Sequence, residues 1–181
     1  MKRTIKLIIG QTGTGKTWYV LHTILPNEKR LIIIDIHHEY TYDNAFYAYS
    51  LEELYDFVLN NKDFHIVVRF TSFFELEYLW RLIYAIGNLT LVCEEIGSYI
   101  DAEKKDTSFN RLIFFGRHAG ISIVGVAQRP ILLSTSLRSQ FNTIICFKQT
   151  FQNDLDKLEE IGFNREELKN LSVGEYREIS I

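Results

Sequence analysis

Gly10-Gln11-Thr12-Gly13-Thr14-Gly15-Lys16-Thr17 decides the reading of this chain. It fits a glycine, four free positions, then Gly-Lys-Thr/Ser at every fixed place. An apolar run over 5–9 precedes it and a helical pattern over 16–25 follows it. A strand, a glycine loop and a helix in that order suit triphosphate binding. The glycines let the backbone turn tightly and aim N–H groups at phosphate oxygens, and the start of the helix adds partial positive charge. Lys16 is then placed to reach the β- and γ-phosphates, and the Thr17 hydroxyl to hold magnesium. The eight residues from Gly10 to Thr17 are therefore read as a site for ATP and Mg2+. A chance glycine turn is the bland alternative, and the complete motif in its strand–loop–helix setting disfavours it.

Outward from the loop, short apolar runs recur at 31–34, 65–70, 89–93, 121–127 and 143–147. Most are continuously apolar rather than alternating, which suits strands covered on both faces. Helical patterns separate them at 51–59, 73–86, 107–118, 153–161 and 165–171. Ser50, with Glu53 three residues on, reads as an N-cap, and Gly87 as a helix stop. The alternation predicts an α/β fold of three layers with a mainly parallel central sheet and ligands at the carboxyl ends of the strands. Two prolines, no internal repeat and no linker-like run predict a single domain over 1–181.

Two further stretches carry chemistry. The run 89–93 ends in Glu94-Glu95. A carboxylate pair beside a phosphate loop serves the magnesium shell and the attacking water, so Glu94 is assigned to the metal and Glu95 to the water. The run 121–127 ends at Gln128. In a parallel sheet that end faces the nucleotide, where a neutral amide can contact the γ-phosphate or the attacking water. Arg117 lies before the same strand, at its other end. It is read either as a surface arginine near a helix C-terminus or as a cation offered to a neighbouring subunit's nucleotide.

Composition narrows the class. The chain has 181 residues, 46% of them hydrophobic, and a formal net charge of −3. That charge argues against a small, strongly basic nucleic-acid binder acting alone, but not against a ring that gathers cations in its hole. Cys93 and Cys146 sit in apolar runs and read as core residues of a reducing compartment. No run approaches the roughly 18 apolar residues of a membrane span, and a phosphate loop this near the N-terminus does not suit a signal peptide. The expectation is a cytoplasmic protein. His37 and His38 are neighbours in an extended turn, point apart, and are not expected to share a metal.

With these residues in view, the chain resembles the HerA–FtsK superfamily of DNA-pumping ATPases. Asp35-Ile36-His37-His38-Glu39-Tyr40 is similar to that family's Asp-Pro-His-Gly-Glu-Tyr turn. Gly116 to Ile121 followed by Ala127-Gln128-Arg129-Pro130 is similar to its Gly-Arg-His-x-Gly-Ile and Ser-Gln-Arg-Pro signature. Leu171-Ser172-Val173-Gly174-Glu175-Tyr176 is similar to its terminal Leu-Pro-x-Gly-Glu strand. The resemblance implies a RecA-like P-loop NTPase core, hexameric rings and movement of double-stranded DNA through the central pore. It also implies a trans arginine finger at Arg117 and a γ-phosphate-sensing glutamine at Gln128. Ile36 and His38 stand where the family has Pro and Gly, and Glu94 where it has Asp. Little beyond the motor core is present, a form similar to genome-packaging ATPases of viruses, for which capsid or portal proteins are further partners. Lys104-Lys105, within 97–106, is a candidate DNA-gripping loop, and Arg129 and Arg138 are other candidates; a solvated turn of mixed charge is the alternative for 97–106.

Two rivals share the phosphate loop. A nucleotide or small-molecule kinase would carry an arginine-rich lid, which the sequence does not show. A nucleotide-dependent assembly module would hydrolyse ATP slowly, a reading that Glu94 in place of Asp keeps open.

Overall fold

β1 (Ile5–Ile9) and β2 (Arg30–Ile34) send successive side chains to opposite faces, and both faces are covered. Leu7, Ile9, Ile32 and Ile34 enter one apolar cluster, whereas Ile8, Leu31 and Ile33 enter another. This explains the unbroken apolar runs: a strand packed on two sides has no polar face. The remaining strands are β3 (Phe46–Ala48), β4 (Phe64–Val68), β5 (Thr90–Cys93), β6 (Ser122–Ala127), β7 (Thr143–Phe147) and β8 (Tyr176–Ser180). Among the described residues they form one eight-stranded sheet in the order β3-β4-β2-β5-β6-β1-β7-β8, in which only β8 runs antiparallel. The computed structural model describes residues 4–70, 72–99, 107–130, 133 and 135–180.

Helices cover both faces of the sheet. On one side lies α1 (Lys16–Tyr19) with its continuation, packing Tyr19, Val20 and Ile24 against Ile8, Ile33, Val92 and Val124. On the other side lie α2 (Leu51–Asn60), α3 (Phe73–Ile86), α4 (Ser108–Phe115), α6 (Gln152–Glu160) and α7 (Arg165–Asn170). They contribute Leu54, Leu79, Leu112, Leu155 and Leu168 to the other cluster. The caps follow the sequence: Ser50 accepts from the Glu53 N–H, and Gly87 (φ 57°) ends α3. The architecture is the expected three-layer α/β sandwich with a mainly parallel central sheet. No helix among the described residues is long and apolar enough to cross a membrane.

Four features differ from the sequence expectation. β3 is three residues long, too short for a periodic signal. α5 (Thr135–Arg138) is a single turn. After Tyr19 the first helix changes to a π-helical turn over Val20–Ile24 and then to a 3-10 turn over Leu25–Asn27, so a uniform helix over 16–25 is corrected. The stretch from Leu171 to Tyr176, expected as a terminal strand, is mostly a turn, and the strand begins only at Tyr176. β8 hid because it is an edge strand: Arg177 and Glu178 are exposed, while Ile179 packs on the core and the Tyr176 ring packs on Tyr19 and Phe147.

Candidate nucleotide site

β1 ends at Ile9 and β6 at Ala127, side by side and parallel, so the loop after β1 and Gln128 after β6 emerge together. β5 is the next strand beyond β6, which brings Glu94 to the same end of the sheet. The loop itself has glycine where the backbone demands it. A side chain on Gly10 would come within 2.6 Å of both Phe147 Cβ and Thr14 Oγ1. Gly15 has φ 113°, a left-handed conformation that other residues adopt only at a cost, and it lies against the backbone of Gly174. The Gly174 N–H donates to the Thr14 carbonyl at 2.9 Å, so the turn before β8 braces the loop.

Thr12, Gly13, Gly15, Lys16, Thr17, Trp18, Glu39, Glu94 and Gln128 line a cavity of about 360 Å3. Lys16 is only 8% exposed, and its ammonium donates to the carbonyls of Gly10 (2.8 Å) and Gln11 (3.1 Å). Burial lowers its pKa, and the charges of Glu94, Glu95 and Glu39 pull it back up. Glu94 is 3% exposed, and its Oε2 is buried without a hydrogen-bond partner. Burial raises its pKa to about 7; the neighbouring Glu39 and Glu95 charges add to the rise, while Tyr40 and Lys16 oppose it. The Tyr40 hydroxyl stands beside Glu94 but falls short of hydrogen-bond geometry. The Thr12 hydroxyl donates to Gln128 Oε1 at 3.3 Å, joining the loop to the end of β6. The Gln128 carbonyl accepts from Nε2 of the fully buried Gln149 at 2.9 Å.

Glu39, in the turn after β2, joins the site although its local sequence does not mark it as a ligand. The Thr17 hydroxyl donates to Glu39 Oε2 at 3.2 Å, and Glu39 lines the cavity. Its position follows from the turn after β2. Asp35, fully buried, accepts from the N–H groups of Glu39 (2.8 Å) and Tyr40 (3.2 Å). Arg69 closes the arrangement through Asp35 Oδ2 (3.2 Å) and the Tyr40 carbonyl (2.9 Å). His38, where the resembled family has glycine, takes φ 57° and so keeps a glycine-type backbone at that step. The turn motif was the signal for Glu39; its role was invisible without knowing that β2 lies beside β5.

Not every expected residue reaches the cavity. Glu95 does not line it; its backbone has φ 46° and its Oε1 is buried without a partner. Arg117 sits in the 3-10 turn Gly116–Ala119 before β6, a strand length of about 20 Å from Gln128. It is exposed, and among the described residues it makes no ion pair. Arg129 already has an intramolecular partner: its Nε donates to the buried Asp154 at 2.8 Å. The Arg138 guanidinium donates to the carbonyls of Pro130 (3.3 Å) and Leu133 (2.6 Å). Lys104-Lys105 lie outside the described residues. A larger cleft of about 540 Å3 lies between α3 and α4, but there Arg81 is already paired with Glu77 and Ser108.

The two carboxylates and the Thr17 hydroxyl suit a hard dication. Oxygen donors are what Mg2+ takes, and it completes its shell with water and phosphate oxygens. The buried, partnerless Glu94 oxygen is a group that a cation would satisfy.

The sequence matches the helicase HerA central domain family over residues 6–172. The chain belongs to that family. As a HerA–FtsK-like P-loop ATPase, it shares its fold with several solved structures. The genome packaging NTPase B204 from Sulfolobus turreted icosahedral virus 2, in complex with AMPPCP, is similar with TM-score 0.81 and 22% identity, covering 98% of this chain and 92% of that one. VirB4 of Thermoanaerobacter pseudethanolicus is similar with TM-score 0.64 and 11% identity, covering 99% and 89%. The cytoplasmic domain of the Thermomonospora curvata type VII secretion ATPase EccC is similar with TM-score 0.56 and 15% identity, over 98% of this HerA-family chain and 24% of that one. No curated protein sequence matches the chain.

Proposed function

We propose that the chain is a minimal ATP-driven DNA translocase, a genome-packaging motor that acts as a hexameric ring on double-stranded DNA in the host cytoplasm or the virion. The observation that carries this reading is the reciprocal, near-complete likeness to B204: 98% of this chain covers 92% of a genome packaging NTPase. Membership of the HerA family supports it, and so does a cavity in which a phosphate loop faces Glu39, Glu94 and Gln128. Capsid or portal proteins would be further partners of such a motor.

In this reading Gly10 to Thr17 bind the phosphates of ATP through backbone N–H groups, and Lys16 leaves the Gly10 and Gln11 carbonyls for the β- and γ-phosphates. Thr17, Glu94 and Glu39 hold Mg2+. When bound, that ion neutralises charge on the transferring phosphoryl group. Gln128, tethered to the loop through Thr12, contacts the γ-phosphate or the attacking water. Glu95 polarises that water once the site closes. Arg117, exposed at the far end of β6, serves the nucleotide of the next subunit, because it cannot reach its own.

ATP turnover and particle mass, each with and without duplex DNA, test the proposal. A DNA-stimulated ATPase of hexameric mass is expected. Turnover unaffected by DNA would favour a nucleotide-dependent assembly module, the reading kept open by a buried Glu94 whose pKa lies near 7. Phosphoryl transfer to an added nucleoside monophosphate, faster than release to water, would favour a kinase.

A further inference from the structure

The phosphate chemistry leaves one wall of the cavity unused. Trp18 follows Thr17 directly, lines the same cavity as Lys16 and Glu94, and is 57% exposed. Scattered exposed aromatics are ordinary on protein surfaces; Trp18 differs by standing on a cavity wall. Its indole is also held in place. The His22 ring stacks on it with centroids 4.4 Å apart and planes 13° from parallel. The His22 Nδ1–H donates to the Trp18 carbonyl at 2.9 Å, which anchors the backing ring to the same stretch of helix. A flat, pre-positioned π surface therefore stands one residue beyond Thr17, on a wall of the cavity that the phosphate loop lines.

We propose that Trp18, backed by His22, is the platform on which the base of the nucleotide stacks. The inference rests on the nucleotide reading of this site and adds what that reading leaves open, the part of the ligand beyond the phosphates. Stacking uses a ring face rather than an edge, so it selects by the size of the π surface and not by hydrogen-bond pattern. ATP and GTP bind alike, and CTP and UTP bind more weakly.

The test compares equilibrium binding of ATP and of inorganic tripolyphosphate to the full chain and its variants, with Mg2+ present. Trp18→Ala is expected to weaken ATP about tenfold, as loss of one aromatic–base stack does, and to leave tripolyphosphate unchanged. Trp18→Phe is expected to recover most of the ATP affinity, which separates stacking from a change in fold. Equal losses for both ligands, or no loss for either, would overturn the platform. A wild-type chain that binds tripolyphosphate no better than Lys16→Ala would overturn the phosphate site, and the platform with it.

Discussion

Lys16 and Glu94 state the residue-scale tension of the site: an ammonium and a carboxylate, both nearly withdrawn from water, face each other across a phosphate loop. Removing the ammonium takes away the main cation for the phosphates. Lys16→Ala is expected to lower phosphate release at least about a hundredfold, read by a phosphate-release assay. Glu95→Gln is expected to keep ATP binding and lose turnover, which single-turnover measurements separate; full turnover in that variant would move the water-activating role to Glu39. Glu94 supplies a pH signature. Its folded-state pKa, about 7, lies above its ordinary value of 4.5, so the folded protein holds an extra proton between those limits. This group's contribution to stability is therefore complete below about pH 4.5 and is lost as pH rises through 7. In EDTA, thermal melts should shift upward as pH is lowered from 8 to 5, and Glu94→Gln should flatten that slope. The same variant should be more stable at pH 8 by at most about 3 kcal/mol. An unchanged slope would assign the proton elsewhere.

The element that most constrains the site is the turn after β2, whose Asp35–Arg69 pair fixes where Glu39 stands. Asp35 is fully buried, so Arg69→Ala would leave its charge unpaired. The expected cost is about 3 kcal/mol, measured by urea denaturation, together with weaker dependence of ATP affinity on Mg2+ as Glu39 loses its register. Sequence and structure diverge most plainly here. The phosphate loop was legible because its chemistry needs fixed residues at fixed spacing within one segment. Buried strands were legible because two covered faces leave unbroken apolar runs. Glu39 was not legible as a site residue, because its meeting with Thr17 depends on strand order and not on any local pattern. The partner of Arg129 was hidden for the same reason: Asp154 lies 25 residues away in sequence and meets it only in the fold. β3 and β8 escaped because one is too short and the other too polar for a period to show.

At the scale of the whole molecule, the phosphate loop and Arg117 occupy opposite ends of the sheet. On the proposed reading such a chain carries half a reaction centre at each end, and a second copy would complete one. Arg117→Ala subunits mixed with Glu95→Gln subunits are expected to regain part of the turnover that each lacks alone. Activity at no mixing ratio would count against the arginine acting between subunits. The Gly174 N–H on the Thr14 carbonyl reaches further still. The phosphate loop is braced by a turn that follows it far along the chain, so a ribosome delivers the cradle before its strut. Nascent chains released before Gly174 has emerged should therefore handle triphosphate poorly, whatever else has already folded.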